Sequence, residues 1–314
     1  MATGGYFELE LNQGTEFYQN VIRLNTGRNA LEYILRAKKY TKIYIPYFTC
    51  DVILEPIQKL NIDFEFYHID ETLLPIFDYK KISKEEVFLY NNYFGICEKQ
   101  SEIVVSNLSN LIIDNAQAFY SKPLPGIDTF YSPRKFFGLP DGAYLFTDKL
   151  IDYNIEQDIS FKRFEHLLGR IDTGSEIHFH TYKLNSKALS KQSIKLMSKL
   201  TQRILCSIDY DFVAEKRKQN FNYIHNELGS KNQFKFDIDK TLVPMVYPFL
   251  VENGSEIKKT LIDNKIYVAT YWPNVLNWSK ESSLEYNLTD NLVAIPIDQR
   301  YSLNKMNQII ELIK

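Results

Sequence analysis

The chain has 314 residues, of which 45% are hydrophobic and 24% are charged, and its formal net charge is −2. A chain of this length can bury a sizeable core, and the composition is that of an ordinary globular protein and not of a disordered one. Because nucleic-acid binding needs many clustered Lys and Arg contacts, the nearly neutral charge argues against a general nucleic-acid binder.

The cysteines and the N-terminal residues argue against a metal or disulfide framework and against a secreted or membrane protein. Cys50, Cys97 and Cys206 have no short paired spacing, so neither a zinc site nor a disulfide framework is indicated. The first residues, MATGGYFELE, lack the basic and apolar regions of a secretory signal, and no stretch approaches the ~20 apolar residues of a membrane span. We therefore expect a cytoplasmic protein that is not embedded in a membrane.

The first part of the chain predicts an arm followed by alternating helices and strands. Residues 1–24 mix polar residues and aromatic residues, and we expect an arm that packs on the rest of the chain or on a second subunit. Thr26 is a candidate N-cap, because the apolar spacing that begins at Ala30 is helical. Short apolar runs then predict buried strands, with a helix from Asp51 to Leu60 after the first of them: Ile43–Pro46, Phe64–Tyr67 and Val87–Tyr90.

Two further strands each end in a polar group. The aliphatic run Leu111–Ile113 stops at Asp114, and Asp128–Tyr131 leads into Ser-Pro-Arg-Lys, which ends at Lys135. Strands that alternate with helices over roughly the first 150 residues predict a mostly parallel sheet with helices on both faces. Ligands of such sheets bind beyond the carboxyl ends of the strands. Asp114 and Lys135 are therefore expected at one edge of the sheet.

A carboxylate and a lysine at one sheet edge suit a cofactor that carries an aldehyde and a basic ring nitrogen, which describes pyridoxal phosphate (PLP). Lys135 would bond to the aldehyde, and Asp114 would keep the ring nitrogen protonated. Taken singly, Asp114 is more often a turn or cap residue and Lys135 a solvated lysine. The free amides of the helix after Thr26 would suit a phosphate, although many helices begin in this way without a ligand.

These segments resemble a known family, the nucleotide-sugar aminotransferases of the DegT/DnrJ/StrS type, which are fold-type I PLP enzymes. I-I-D-N-A-Q-A-F, from Ile112, is similar to the E-D-A-A-Q-A segment of this family, and Ser132–Lys135 matches the S-x-x-K of fold type I. T-G-R-N-A-L, from Thr26, is similar to its S-G-T-x-A-L phosphate turn. I-Y-I-P-Y-F-T, from Ile43, resembles its V-I-V-P-x-F-T strand and loop.

The resemblance continues towards the C-terminus and covers nearly the whole chain. N-N-Y-F-G, from Asn91, is similar to the H-x-Y-G of the family, and N-L-V-A-I-P-I-D, from Asn291, resembles its closing L-P-L-H. The resemblance implies the fold-type I PLP-transferase-like α/β fold, with a mostly parallel central sheet. The domains would be an N-terminal arm (1–24), a large PLP-binding domain (25–185), a connecting helical region (186–228) and a small C-terminal α+β domain (229–314).

The resemblance also assigns roles to residues. Lys135 and Asp114 would be catalytic, the Gln117 amide would approach the ring hydroxyl oxygen, Ala116 would lie under the ring, and the Ser132 hydroxyl would bind the phosphate. The ordinary alternatives are a hydrogen-bonded turn amide for Gln117 and simple turn chemistry for Ser132. The other expected cofactor contacts come from the phosphate turn and from two loops: Gly27, Arg28, Asn29, Phe48, Cys50 and Tyr93.

Three features depart from the family pattern. Cys50 stands near the position of an aromatic residue that stacks on the ring, so stacking would pass to Phe48 or Tyr93 or be missing. Ser132–Lys135 is two residues shorter than the S-F-x-x-x-K usual in the sugar aminotransferases. Thr181–Lys183 poorly reproduces the N-Y-R segment, whose Asn reaches the phosphate of the neighbouring subunit.

The second half of the chain has a different pattern. It predicts an amphipathic segment, an irregular segment and then long helical structure, at Ile159–Gly169, Ser175–Tyr182 and Ser186–Leu228. Three strands and a last helix would follow, at Lys235–Asp239, Met245–Val251, Tyr267–Thr270 and Asn304–Ile313. His178 and His180 lack a third ligand at a recognisable spacing, so no metal is expected.

The resemblance implies a homodimeric aminotransferase. It would move an amino group from an amino acid such as glutamate to a nucleotide-linked keto-sugar, in polysaccharide or cell-surface glycan biosynthesis. Lys135 would also carry the proton between substrate and cofactor carbon atoms. Two alternatives stay open. One is a binding or regulatory protein that has lost transamination. The other, less favoured, is a sugar dehydratase, because those relatives usually replace the lysine by histidine and this chain retains Lys135.

Overall fold

The computed structural model describes residues 3–236 and 239–314, and its larger part is built on an eight-stranded sheet. The strands are β1 (Ile22–Leu24), β2 (Lys42–Pro46), β3 (Asp63–Ile69), β4 (Pro75–Ile76), β5 (Glu86–Asn91), β6 (Leu111–Asp114), β7 (Asp128–Tyr131) and β8 (Ala143–Phe146). Their order across the sheet is β1-β8-β7-β6-β5-β2-β3-β4. Helices α1 (Gly27–Lys38), α2 (Leu54–Lys59) and α3 (Glu98–Asn107) connect successive strands.

The sheet is mostly parallel, as the sequence predicts. Strands β3, β2, β5, β6 and β7 run parallel to one another, whereas β8 pairs antiparallel with β7, β1 with β8 and β4 with β3. The parallel strands therefore end at one edge of the sheet, where the loops that follow them meet.

Both faces of the sheet are covered, which explains the aliphatic sequence of its central strands. Ile112 of β6 packs in one apolar cluster with Ile34 of α1, while its neighbours Leu111 and Ile113 belong to the cluster on the opposite face. Successive side chains of a strand point to opposite faces, so a strand that is buried on both sides needs a continuous apolar run.

The C-terminal part of the chain is helical around a two-stranded antiparallel sheet. Its helices are α4 (Glu165–Thr173), α5 (Phe179–Ala188), α6 (Lys199–Leu205), α7 (Tyr210–Leu228), α8 (Gly254–Asp263), α9 (Val275–Trp278), α10 (Leu284–Asn291) and α11 (Leu303–Ile313). The small sheet pairs β9 (Val246–Leu250) with β10 (Leu292–Pro296). Within residues 3–236 and 239–314, no helix combines the length and the apolar character needed to cross a membrane.

The prediction of helical structure throughout Ser186–Leu228 is wrong in its first part. Between α5 and α6 the chain is mostly extended along the edge of the large sheet: Leu196 bridges Leu24 of β1, and the Asn25 N–H donates to the Lys195 carbonyl (2.9 Å). This contact joins residues far apart in sequence, so no local pattern announces it. The structure also contains strand β1, which the sequence does not predict, and it begins helix α5 within Ser175–Tyr182, a segment expected to be irregular.

Two of the predicted C-terminal strands are also wrong. Lys235 and Phe236 lie outside any strand, and the next two residues of that prediction fall outside the described residues. In Tyr267–Thr270, a single residue, Ala269, bridges Ala294 of β10. Strand β9 and the last helix are confirmed, and the proposed domain boundaries stay a prediction.

A close backbone approach joins the two sheets at Gly95, just after β5. Gly95 has a φ of +72°, and a Cβ added there would lie 3.0 Å from the Gln117 carbonyl oxygen and 3.1 Å from that of Val243. The neighbouring Phe94 carbonyl accepts from the Met245 N–H (2.8 Å), immediately before β9. Glycine is therefore required at this position for its conformation and for its lack of a side chain.

We predict that Gly95→Ala lowers the free energy of unfolding by roughly 2–4 kcal/mol, because it adds steric overlap to backbone strain. Gly126→Ala is the matched control, since Gly126 has a φ of +75° and nothing within 4 Å of an added Cβ. In Gly126→Ala, backbone strain alone should lower the free energy of unfolding by about 1 kcal/mol. Urea unfolding of both variants measures the difference, and equal losses would show that the contacts at Gly95 are not restrictive.

Candidate active site

The register of three central strands brings the predicted acid and lysine to one edge of the sheet. Asn91, the last residue of β5, lies opposite Asp114 of β6, and Asp114 lies opposite Phe130 of β7. One residue after β7, Ser132 leads into a short 3-10 turn that ends at Lys135. The sequence-based expectation that the two groups share an edge is therefore confirmed.

Asp114 is a partly buried carboxylate whose environment opposes its charge. Burial raises the pKa of Asp114 above its ordinary value, while the Lys135 ammonium and the Ala116 N–H act in the opposite direction. That N–H donates to Oδ1 of Asp114 over 2.7 Å. Because the register of β6 and β7 brings both groups to one edge, where the Lys135 ammonium favours the charged form of Asp114, we assign the two groups to one candidate site.

Lys135 has a well-defined backbone and a free side chain. Its N–H donates to the Ser132 carbonyl (3.1 Å), and the next residue, Phe136, donates to the Pro133 carbonyl (2.9 Å). The side chain is exposed and makes no hydrogen bond or ion pair with any residue that the structure describes. The turn thus fixes the base of the side chain and leaves the amine available to a ligand.

Gln117 leaves a buried donor without a partner. Its side chain is almost fully buried, and its Oε1 accepts the Phe94 N–H over 2.9 Å. Its Nε2 has no hydrogen-bond partner among the described residues. Because an unpaired buried donor is costly, this amide points to an acceptor supplied by a ligand. Ala116, the small residue before it, is buried as well.

The N-terminus of α1 and Ser132 lie side by side. Thr26 caps the helix, as predicted, by accepting the Asn29 N–H at its Oγ1 over 3.2 Å. The N–H groups of Gly27 and Arg28 have no partner within the described chain, and a Cβ added to Gly27 would lie 3.8 Å from Cβ of Ser132. The Ser132 hydroxyl is also unpaired there. Free amides and a hydroxyl at a helix start are a typical phosphate site.

The side chains of Arg28 and Asn29 are engaged elsewhere. Arg28 pairs with Glu55 over 2.5 Å, and the Asn29 amide donates to Glu32 (3.2 Å) and to the Gln192 carbonyl (3.0 Å). Both side chains therefore secure the start of α1. A phosphate contact from this turn would come from the backbone.

One wall of the site is aromatic. The ring centroid of Phe48 lies 5.4 Å from that of Tyr93 and 5.1 Å from that of Trp272, which comes from the C-terminal part of the chain. The Asn274 side chain donates to the Thr49 carbonyl over 2.9 Å and ties the same two regions together. Trp272 and Asn274 are not predicted from the sequence, because they are far from the strand ends along the chain and no motif marks them.

Cys50 lies on the same loop, in a partly buried position. Its Sγ is 3.6 Å from Oδ1 of Asp51. Burial raises the pKa of the Cys50 thiol, and the Lys135 ammonium opposes that rise. The Lys135 ammonium thus acts on both the Cys50 thiol and the Asp114 carboxylate.

The predicted histidine pair makes no metal site. His178 precedes α5 and its Nε2 lies 2.9 Å from the Thr173 hydroxyl. Across the residues that the structure describes, no group of three or more His, Cys, Asp or Glu side chains is arranged to hold a metal ion.

The elements together define an α/β fold with a candidate site for a lysine-bound, phosphate-carrying cofactor at the carboxyl edge of its sheet. No protein-family model matches the sequence, and no curated protein matches it significantly. Solved structures do match, and they are sugar aminotransferases of the DegT/DnrJ/StrS type and related proteins.

Three of these structures illustrate the likeness. The sugar aminotransferase CalS13 from Micromonospora echinospora is 16% identical over 94% of this chain and 86% of its own, with a TM-score of 0.63. A DegT DnrJ EryC1 StrS aminotransferase from Brucella abortus is 14% identical over 94% and 85%, with a TM-score of 0.62. The E. coli GDP-4-keto-6-deoxy-D-mannose-3-dehydratase with bound hydrated PLP is 14% identical over 94% and 88%, with a TM-score of 0.62. The predicted fold class is confirmed.

The proximity of Cys50 and Lys135 is testable without any ligand. Lys135→Gln removes the ammonium that favours the thiolate, so the pKa of Cys50 should rise further and its alkylation at pH 8 should slow by roughly two- to tenfold. Lys135→Arg keeps the charge and should retain the parent rate. Peptide mass spectrometry measures the alkylation rate of Cys50 with Cys206 as the internal reference. An unchanged rate in Lys135→Gln would show that the Lys135 ammonium does not act on the Cys50 thiol.

Proposed function

We propose that this chain is a PLP-dependent aminotransferase that moves an amino group from an amino acid such as glutamate to a keto-sugar linked to a nucleotide. The observation that carries the proposal is the joint placement of Asp114 and Lys135 at the ends of adjacent parallel strands, within electrostatic reach of each other. The fold shared with solved sugar aminotransferases supports it.

The residues present fit this cofactor. Asp114 suits the ring nitrogen, and the unpaired Nε2 of Gln117 suits a ring oxygen. The free amides after Thr26 and the Ser132 hydroxyl suit the phosphate. Ala116 presents the small side chain that a flat ring requires. Phe48, Tyr93 and Cys50 would form the wall beside it, with Cys50 in place of a stacking aromatic residue.

When bound, PLP supplies the electron sink that makes proton removal from an amino acid feasible. Lys135 would hold the cofactor covalently, and its amine, once displaced by an amino substrate, would take and return the proton at the substrate carbon atom. The Asp114 carboxylate would keep a proton on the ring nitrogen. In a partly buried site that attraction is screened less than between surface charges.

The acceptor is the least constrained part of the proposal. A nucleotide-linked keto-sugar is favoured because the similar structures are sugar aminotransferases, and a place in polysaccharide or cell-surface glycan biosynthesis follows from that choice. We place this activity in the cytoplasm, in keeping with the free thiols of Cys50, Cys97 and Cys206.

We also propose that the protein acts as a homodimer. Large apolar side chains of α4, α5 and their flanking segments are exposed, and patches of this kind commonly mark interfaces: Phe161, Leu168, Ile171, Ile177, Phe179 and Leu184. Helix α5 contacts the lysine turn, since Arg134 donates to the Ser186 hydroxyl over 3.3 Å. A second copy on this surface would therefore border the site.

The dimer prediction can be tested with two charge substitutions. Ile171→Glu places a charge on the proposed interface, where Ile171 is 81% exposed, and should reduce the particle mass from two 36.9 kDa chains to one. Ile76→Glu changes another exposed isoleucine, in β4 at the opposite edge of the sheet, and should leave the mass unchanged. Light scattering after size exclusion measures both. A parent chain that is monomeric at micromolar concentration contradicts the proposal.

Lys135→Ala should abolish transamination while leaving the fold intact. The parent chain incubated with PLP should give a borohydride-trappable modification of the Lys135 peptide, and glutamate should convert the bound cofactor to its aminated form. The variant should show no such modification and a half-reaction slowed by roughly 10²–10⁴-fold. A Lys135→Ala variant with parent-like activity would contradict the assignment of Lys135 as the catalytic lysine.

Asp114→Asn keeps the shape of the side chain and removes its negative charge, so it tests whether that charge is needed for the reaction. The cofactor should still bind through its phosphate and Lys135, but the half-reaction with glutamate should slow by roughly 10²-fold, because the ring nitrogen loses its anionic partner. Single-turnover absorbance of the purified variant measures this step. If the half-reaction proceeds at the parent rate, Asp114 is not the ring partner and the placement of the other site residues on this cofactor is wrong.

The same assay decides between the alternatives. PLP binding without conversion by glutamate supports a regulatory or binding protein on this fold. The dehydratase alternative has a specific basis, because a PLP-containing dehydratase has a similar structure. It predicts loss of water from a keto-deoxy sugar nucleotide, and the retention of Lys135 disfavours it.

A further inference from the structure

Arg217 of α7 is the largest fully buried side chain that the structure describes, at 2% exposure. Its Nη1 donates to the carbonyls of Met245 (2.9 Å) and Pro244 (3.4 Å), and its Nη2 donates to that of Phe136 (3.3 Å). The guanidinium also lies 4.5 Å from the centre of the Phe136 ring. Burial lowers the pKa of Arg217 to about 10, so the group remains charged at neutral pH.

Gln299 converges on the same carbonyl. It follows β10, and its Nε2 donates to the Phe136 carbonyl over 3.0 Å. Phe136 is the residue immediately after Lys135, and the N–H groups of Phe136 and Phe137 both donate to the Pro133 carbonyl (2.9 and 3.0 Å). Two side chains from distant segments therefore hold the end of the turn that carries the lysine.

A buried arginine at this position is not explained by stability alone. The guanidinium forms no ion pair with a carboxylate among the described residues, and the Asp298 carboxylate favours its charge only from a longer distance, while moving such a charge out of water is costly. An apolar side chain of similar volume would avoid that cost. A forked, charged donor can instead join carbonyls of two chain segments in a fixed geometry. The segments joined here are the lysine turn and the entrance to β9.

We propose that Arg217 and Gln299 are positioning residues for Lys135. By holding the Phe136 carbonyl, they fix the backbone from which the lysine side chain extends, and they tie that backbone to the segments that precede β9 and follow β10. The inference rests on the proposed function in assigning Lys135 to the cofactor. Reactive groups need placement within a fraction of an ångström, and a shift of about 1 Å can cost about a hundredfold in rate.

Asn220 is a matched control on the same helix. It is fully buried, and its amide donates to the carbonyls of Ile297 (3.1 Å), Asp298 (3.3 Å) and Tyr301 (3.2 Å). Like Arg217, Asn220 is a buried residue of α7 whose side chain donates to three backbone carbonyls. None of these carbonyls lies in the lysine turn, but they flank Gln299. Asn220→Leu therefore removes a comparable set of bonds and can reach Lys135 only through Gln299, so its effect on Lys135 should stay well below that of Arg217→Met.

The test compares Arg217→Met, Arg217→Lys, Gln299→Met and Asn220→Leu at a temperature where circular dichroism shows all of them folded. The first readout is the rate at which PLP becomes borohydride-trappable on the Lys135 peptide. The second is reductive methylation of Lys135 by formaldehyde across pH in the cofactor-free chain, relative to the exposed Lys149. This second readout reports the surroundings of the amine and does not depend on catalysis.

We expect Arg217→Met to slow trapping by about tenfold or more and to shift the pH profile of Lys135 methylation. Gln299→Met should have a smaller effect in the same direction, because Arg217 still holds the carbonyl. Arg217→Lys keeps the charge and should recover part of the rate. Asn220→Leu should lower the melting temperature but leave both Lys135 readouts within about twofold of the parent.

Two results would overturn the inference. One is a parent-like trapping rate and methylation profile in Arg217→Met, and the other is an equal change in Asn220→Leu. If the parent chain takes up no PLP in trappable form, the proposed function fails, and the methylation profiles still decide whether Arg217 and Gln299 position Lys135.

Discussion

The parallel register of β5, β6 and β7 is the constraint on which the site depends. It places Asn91 beside Asp114 and Asp114 beside Phe130, so that the three strands end at one edge of the sheet and the loops that follow them lie together. Main-chain bonds continue this alignment beyond the strands, since the Asn92 N–H donates to the Asp114 carbonyl over 3.0 Å. The packing of both faces of the sheet stabilises this arrangement, because a one-residue slip would exchange the faces on which the β6 side chains pack and would move Asp114 out of register with Asn91 and Phe130.

Buried polar groups in this protein fall into two kinds. Glu32 on α1 represents the first, since its buried carboxylate is compensated by Arg36 (2.8 Å) and Lys59 (2.9 Å) and supports the fold. The second kind is incompletely paired and includes Oδ1 of Asn91, the Tyr93 hydroxyl and Nε2 of Gln117, all at or just beyond the ends of β5 and β6. Other unpaired buried groups lie elsewhere in the chain, but these three, at the edge that also carries Asp114, are placed to receive a polar ligand.

The sequence predicts the parts of the molecule that local patterns encode. The aliphatic run of β6 predicts a strand that is buried on both faces, and Thr26 predicts the start of a helix. Each of these signals consists of residues that are close together in sequence. The same holds for Asp114 and Lys135, which follow directly from strand ends. Strand β1 and the extended chain at Leu196 were not predictable in this way, because each is defined by pairing with residues far along the chain.

The C-terminal part reaches the site along two separate routes, neither of which a motif reveals. Arg217 and Gln299 hold the turn that carries Lys135, while Asn274 holds the loop after β2 through the Thr49 carbonyl. That loop bears Phe48 and Cys50. The small sheet and its helices therefore contact both the lysine side and the aromatic side of the same space. A displacement of this part of the chain would move the two sides together, so its packing contributes directly to the geometry that any ligand meets.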